Sequence, residues 1–163
     1  MSQTQQLPVI AGYNDNNDPV VEQVSAIAVE GHPDQFRLEK SPVFVRGLAS
    51  GDLIRYPADN TGGYELLEHS GNLSIRVFSK HNIAELDQAL TPEIELIDGT
   101  RDVCSPGVLI YSVHVSIGFK KIEEVITAVL KRFPESVWYY GNVYDPEDGQ
   151  TPLNWWQDLA SSV

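Results

Sequence analysis

Cysteine and basic residues are the two scarcities that first narrow what this chain can be. Cys104 is the sole cysteine, so no disulfide can form within the chain. Lysine and arginine number 11 against 23 aspartates and glutamates, for a formal net charge of −12. Nucleic-acid affinity comes largely from basic side chains that neutralise phosphates and release counterions. The only adjacent basic pairs are Lys120-Lys121 and Lys131-Arg132, both within one predicted helix. DNA, RNA and anionic membranes are therefore excluded as expected partners. No apolar run approaches the roughly 20 residues that span a bilayer. Residues 1–6 are polar and lack the basic, apolar pattern of a signal peptide, so the expected compartment is the cytoplasm. Recognised catalytic motifs are also missing. There is no Ser-His-Asp signature, no phosphate-binding glycine loop and no dinucleotide fingerprint.

What is present describes an ordinary globular protein. Hydrophobic residues make up 42% of the 163 and charged residues 21%, and a chain of this length buries roughly 70% of its unfolded surface. No metal or disulfide staple is needed. Residues 1–19 are rich in Gln, Asn and Asp and read as a loose arm, with residues 7–10 able to attach to the body. Residues 20–73 hold short extended segments at about 24–29, 36–38 with 43–45, 53–56 and 64–68. They are separated by turn signals at Gly31-His32-Pro33-Asp34, Gly51-Asp52 and 60–63. That spacing predicts a small curled antiparallel sheet or half-barrel.

Residues 74–145 have stronger periodicity. Residues 74–79 alternate, with Ile75 and Val77 on one face and Ser74, Arg76 and Phe78 on the other. Asn82 and Glu85 resemble a capping box that opens a helix through Ile83, Leu86, Ala89 and Leu90, with Pro92 as its expected stop. Residues 93–97 then read as a strand and 107–116 as another. Phe119, Ile122, Val125, Ile126, Val129, Leu130 and Phe133 form an apolar helical stripe ended by Pro134. Residues 137–144 supply a last aromatic strand. The order strand, helix, strand, strand, helix, strand predicts a ferredoxin-like β-α-β-β-α-β half, and the chain as a whole is expected to be α+β. If the helices cover the face carrying Val77 and Val113, Arg76 and His114 look out from the opposite face. An acidic, aromatic tail occupies 146–163.

Two stretches carry a family resemblance. Gln35-Phe36-Arg37-Leu38-Glu39-Lys40-Ser41-Pro42-Val43-Phe44-Val45-Arg46-Gly47-Leu48-Ala49-Ser50-Gly51-Asp52 is the first. Glu68-His69-Ser70-Gly71-Asn72-Leu73-Ser74-Ile75-Arg76-Val77 is the second. Together they resemble a bacterial domain-of-unknown-function family, number 4265, over roughly residues 24–145. Asn72-Leu73 stands where the family usually has His-Ser. The resemblance implies domain boundaries and no established activity.

The candidate ligand-binding residues are Ser70, Asn72, Ser74, Arg76 and His114. Small polar groups on a turn feeding a strand-borne arginine can hold a carboxylate or phosphate, because guanidinium offers a bidentate fork. The same arginine equally suits an ion pair between the two halves. His69, His81, His114 and Cys104 have no short ligand spacing, so neither a metal nor any other cofactor is expected. Tyr140, Tyr144, Trp155 and Trp156 concentrate aromatics near the C-terminus and are the candidate partner-interface residues. They serve equally as anchors of the tail on its own domain. The expected function is a non-enzymatic protein-binding protein with a basic-surfaced partner, with toxin immunity as the narrower form. The alternative is a small-molecule or enzymatic role in a cleft using Arg76 and His114. Oligomeric state is not specified by these features.

Overall fold

In the computed structural model, residues 4–58, 63–148 and 150–157 are described. They form two antiparallel sheets and two α-helices, an α+β architecture. The first sheet is a meander of β1 (Thr4–Tyr13), β2 (Pro19–Val29), β3 (His32–Leu38), β4 (Leu53–Arg55) and β5 (Glu65–Glu68), hydrogen-bonded in that order.

The loose arm is replaced by β1, which pairs with β2 from Thr4↔Ile27 to Tyr13↔Pro19. Its polar composition is misleading because only one side of the strand is covered. Leu7 and Val9 point into the core, and their neighbours face water. The Asn14 side chain closes the hairpin by accepting the N–H groups of Asn16 and Asp18, each at 2.9 Å.

The second sheet contains β6 (Asn72–Ser79), β7 (Thr100–Ser105), β8 (Val108–His114) and β9 (Ser136–Tyr140), in the order β7-β8-β6-β9. Helix α1 (Ile83–Leu96) joins β6 to β7, and α2 (Phe119–Leu130) joins a single 3-10 turn after β8 to β9. Both helices cover the face carrying Leu73, Ile75, Val77, Leu109, Tyr111 and Val113. Leu7, Val24, Ala26, Phe36 and Ile54 centre a separate core on the meander.

Three local expectations are corrected. Asn82 makes no side-chain cap, because its backbone sits at φ 62° in the left-handed region. Helix α1 passes through Pro92 and absorbs residues 93–96, and the strand expected there forms at 100–105 instead. An interior proline costs about 3 kcal/mol, while full burial of an isoleucine side chain returns roughly 1.5–3 kcal/mol. Continuing the helix carries Ile94 into the stripe begun by Leu86 and Leu90, all fully buried. Residues 43–45, expected to extend a strand, lie in an irregular segment between β3 and β4.

On α2 the buried residues are Ile122, Ile126 and Val129, with Val125 only partly covered at the edge of the stripe. Ile126→Asp places an unpaired carboxylate in this core and is expected to cost at least about 3 kcal/mol. Chemical denaturation of both proteins measures it, and equal midpoints would show that α2 does not pack through this face.

Candidate functional site

The irregular segment 39–52 lies between the two sheets and is gripped from both sides. Glu22, on β2, accepts the N–H groups of Val43 (2.7 Å), Phe44 (2.8 Å) and Val45 (2.9 Å). Arg76, on β6, donates through Nη1 to the Phe44 carbonyl at 3.2 Å and through Nη2 to the Val45 carbonyl. Carboxylate and guanidinium therefore face each other across the 44–45 peptide, whose N–H bonds to one and whose carbonyl bonds to the other. Burial pulls the Arg76 pKa below its ordinary value, and Tyr139 and Glu22 pull it back up.

A second set of bonds seals the rest of the segment. Ser112 on β8 donates to Asp102 (2.5 Å) and accepts from Ser50 (2.9 Å), and its hydroxyl lies 2.7 Å from that of Ser41. Asp102 also accepts the Ser41 N–H at 2.8 Å. Ser70 Oγ and Asn72 Nδ2 both donate to the Ser50 carbonyl, at 2.7 and 2.9 Å. Ser74 donates its N–H to Asn142 at 2.9 Å.

Of the candidate ligand residues, Ser70, Asn72 and Arg76 bond to the segment. Arg76 and Ser74 are fully buried, and Arg76 Nε and Ser74 Oγ have no hydrogen-bond partner among the described residues. Among the described residues Arg76 makes no direct ion pair, and its guanidinium bonds to main-chain carbonyls. His114 is exposed, bonded through Nδ1 to Ser116 (2.8 Å) and packed over Gly71. It pairs with Asn72, four residues from Arg76 along β6, a separation of about 13 Å. The structure does not bring Arg76 and His114 into a shared cleft. Among the described residues no cluster of His, Cys, Asp and Glu is placed to hold a metal.

Beneath the segment, Asp52 is buried and accepts the N–H groups of Ala49 (3.0 Å) and Ser70 (2.8 Å). Burial pushes its carboxyl up to about 6, against the lowering effect of those bonds. Its neighbour His69, 4.0 Å away, is held below its usual range by burial and stacks on Trp155 at 4.6 Å. Trp155 donates its indole N–H to the Asn142 carbonyl at 2.8 Å and is buried. It anchors the tail, the second of the two roles expected for these aromatics. Trp156 is half-buried against Phe119 and Trp155.

The remaining aromatics define an exposed region around β9. Alternation puts Trp138 and Tyr140 on the helix side, and Val137 and Tyr139 on the other, exposed by 60% and 38%. Phe44 (58%) and Tyr144 (41%) flank them. Sequence reasoning named Tyr140 and Tyr144 but missed Phe44, Arg46, Val137 and Tyr139. Period-two alternation in Ser136–Tyr140 was the available signal for two of these. The Arg46 guanidinium lies 5.9 Å from the Tyr139 ring centre and, among the described residues, makes no ion pair. A cavity of about 240 Å³ opens here, lined by Arg46, Tyr139, Tyr140, Gly141, Tyr144 and Asp145. Tyr140 donates its hydroxyl to Glu123 at 3.2 Å, and burial with Glu123 nearby raises its pKa. Gly141 has no room for a side chain, since a Cβ would sit 2.5 Å from Arg76 Nε.

The fold and this site define a two-sheet α+β protein with a sealed interior and an aromatic strand edge. The chain belongs to the family described as Domain of unknown function (DUF4265), whose model matches residues 22–132. It is also similar to a structure described as a novel crystal structure of a hypothetical protein from Neisseria gonorrhoeae. That match has a TM-score of 0.65 and 15% identity, covering 85% of this chain and 94% of the other. No curated protein matches the chain. Among the described residues no helix is long and apolar enough to cross a membrane.

Two expectations follow from the clamp and from Asp52. Arg76→Ala leaves the Phe44 and Val45 carbonyls and the Glu22 charge without their counterpart. Leaving a buried acceptor unpaired costs roughly 1–3 kcal/mol, two carbonyls lose their donor here, and each 1 kcal/mol moves the melting point by roughly 2–4 °C at this size. A fall of about 6 °C or more is expected by calorimetry, and an unchanged melting point would remove Arg76 from the clamp. Asp52 binds its proton more tightly folded than unfolded. Its contribution is full below about pH 4 and is lost as pH rises through about 6. Carbon-detected NMR of its carboxyl should show a midpoint near 6; an ordinary carboxylate midpoint would contradict the burial.

Proposed function

We propose that this protein is a non-enzymatic recognition domain that binds an extended, basic segment of a protein partner along the edge of β9. The observation that carries this reading is the contrast between β9 and the other three sheet edges. Unpaired edges invite pairing with another chain, and proteins guard them with proline, charge, bulges or short length. Edge strand β1 contains Pro8 and a register shift between Ile10 and Gly12. Edge strand β5 has four residues with glutamate at both ends. Edge strand β7 carries Arg101 and Asp102 and a register shift between Arg101 and Val103.

Edge strand β9 reads Ser-Val-Trp-Tyr-Tyr, without charge, proline or register shift. Among the described residues, β6 is the only strand paired with it. Strand addition draws affinity from main-chain hydrogen bonds and specificity from flanking side chains. Tyrosine and arginine are enriched at interface hot spots, and Arg46, Tyr139 and Tyr144 supply them here. The net charge of −12 favours a basic partner and speeds its encounter. Inhibition of a toxin with a basic surface is the narrower form of this reading, supported by charge and chain size alone.

A phage-displayed random peptide library is the test. Enriched peptides should be β-formers containing lysine or arginine, with affinity that falls as salt rises. Val137→Lys adds a guarding charge to β9 at an exposed position and should weaken those peptides by about tenfold or more without lowering the melting point. An unenriched library, or peptides indifferent to Val137→Lys, would overturn the proposal.

A further inference from the structure

The cavity at the C-terminal end of β9 is lined by one cation and one anion, Arg46 and Asp145, together with Tyr139, Tyr140, Gly141 and Tyr144. Among the described residues neither Arg46 nor Asp145 belongs to an ion pair, so they face one space without closing on each other. The charges behind the wall repeat that separation. Arg46 and Arg76 both lie 5.9 Å from the Tyr139 ring centre. Arg76 Nε, buried without a hydrogen-bond partner among the described residues, abuts Gly141 in the cavity wall. Glu123 stands 3.2 Å from the Tyr140 hydroxyl. Alternation along β9 puts Tyr139 and Tyr140 on opposite faces, so Arg46 and Arg76 gather on one side of the strand and Glu123 lies on the other. Two guanidinium groups and two carboxylates balance, and the cavity selects neither a plain cation nor a plain anion. A ligand carrying both charges meets both sides.

We infer that this cavity binds a free α-amino acid with a small, uncharged side chain, its carboxylate on Arg46 and its ammonium on Asp145. A guanidinium takes a carboxylate through paired N–H donors, and Arg46 is exposed, with its guanidinium beside the Tyr139 ring. Asp145 is half-buried, and its side chain is oriented by the Glu147 N–H, donated to Oδ1 at 2.8 Å. Tyr140 is packed by Phe119 at 5.5 Å and Trp138 at 5.0 Å and forms a fixed wall. Tyr139, Gly141 and the partly exposed Tyr144 complete the lining without charge, which calls for an uncharged side chain. At about 240 Å³ the cavity is below the roughly 300–1,000 Å³ of sites for larger molecules and matches one amino acid in scale. The site does not depend on strand addition along β9.

NMR titration of the full chain with L-valine, N-acetyl-L-valine and L-valinamide tests this, since the second lacks the ammonium and the third the carboxylate. L-Valine should bind with a dissociation constant on the order of 1–10 mM, with shifts centred on residues 46 and 139–145. Each blocked form should bind about fivefold more weakly or less. Arg46→Ala should weaken valine about fivefold without weakening valinamide, and Asp145→Asn should weaken valine similarly without weakening N-acetylvaline. That crossed pattern is one a merely structural change would not produce. N-acetylvaline binding as tightly as valine would make the cavity an anion site, and valinamide doing so would make it a cation site. Either result overturns the inference, as does silence with all three probes or valine binding that both variants leave intact.

Discussion

Two opposite charges that never touch hold this protein together. A bare guanidinium inside a protein is expensive, and its usual remedy is a carboxylate within direct reach. Here Arg76 and Glu22 are joined by the main chain of residues 43–45, which donates its N–H groups to one and its carbonyls to the other. Each charge polarises the peptides toward the other, and low surrounding dielectric strengthens every bond in the chain. The side chains of that segment can then turn away from the second sheet, sending Val45 and Leu48 into the core of the first. An irregular connector becomes the mortar between two sheets that share no strand.

How much of this the sequence disclosed follows from which interactions are local. Helix α2 was legible because its burial repeats at the helical period through Ile122, Ile126 and Val129. The face assignment of β6 and β8 was legible for the same reason, at period two. Strand β1 was not, because Leu7 and Val9 are two apolar residues in a polar stretch and their partners lie on β2. The continuation of α1 through Pro92 was hidden because the local rule is overridden by burial of Ile94 against a distant sheet. Arg76 was identified as unusual, but its partners are backbone atoms 31 and 32 residues earlier. Main-chain acceptors leave no mark in a sequence.

Closing the space between the sheets changes where function can sit. Polar residues on strand faces look like binding chemistry until a connector spends them on cohesion. Ser112 on β8 is buried in that way, bonded to Ser41 and Ser50 of the connector. The proposed recognition surface is accordingly peripheral, on the rim of β9, where aromatic rings from both faces, the Arg46 guanidinium and the turn after the strand converge.

The clamp also bears on what counts as a unit of this protein. Glu22 is the first residue of the family match, and Arg76 lies well inside it, so the matched range of this chain contains both jaws. Strands β1 and β9 fall outside that region. A fragment cut at residues 22 and 132 would keep the fastening and lose an outer strand from each sheet, baring the edges of β2 and β6. Those are the hydrophobic middles of their sheets, with Val24, Ala26, Ile75 and Val77 at their centres. The matched range is therefore smaller than the pair of complete sheets to which it belongs.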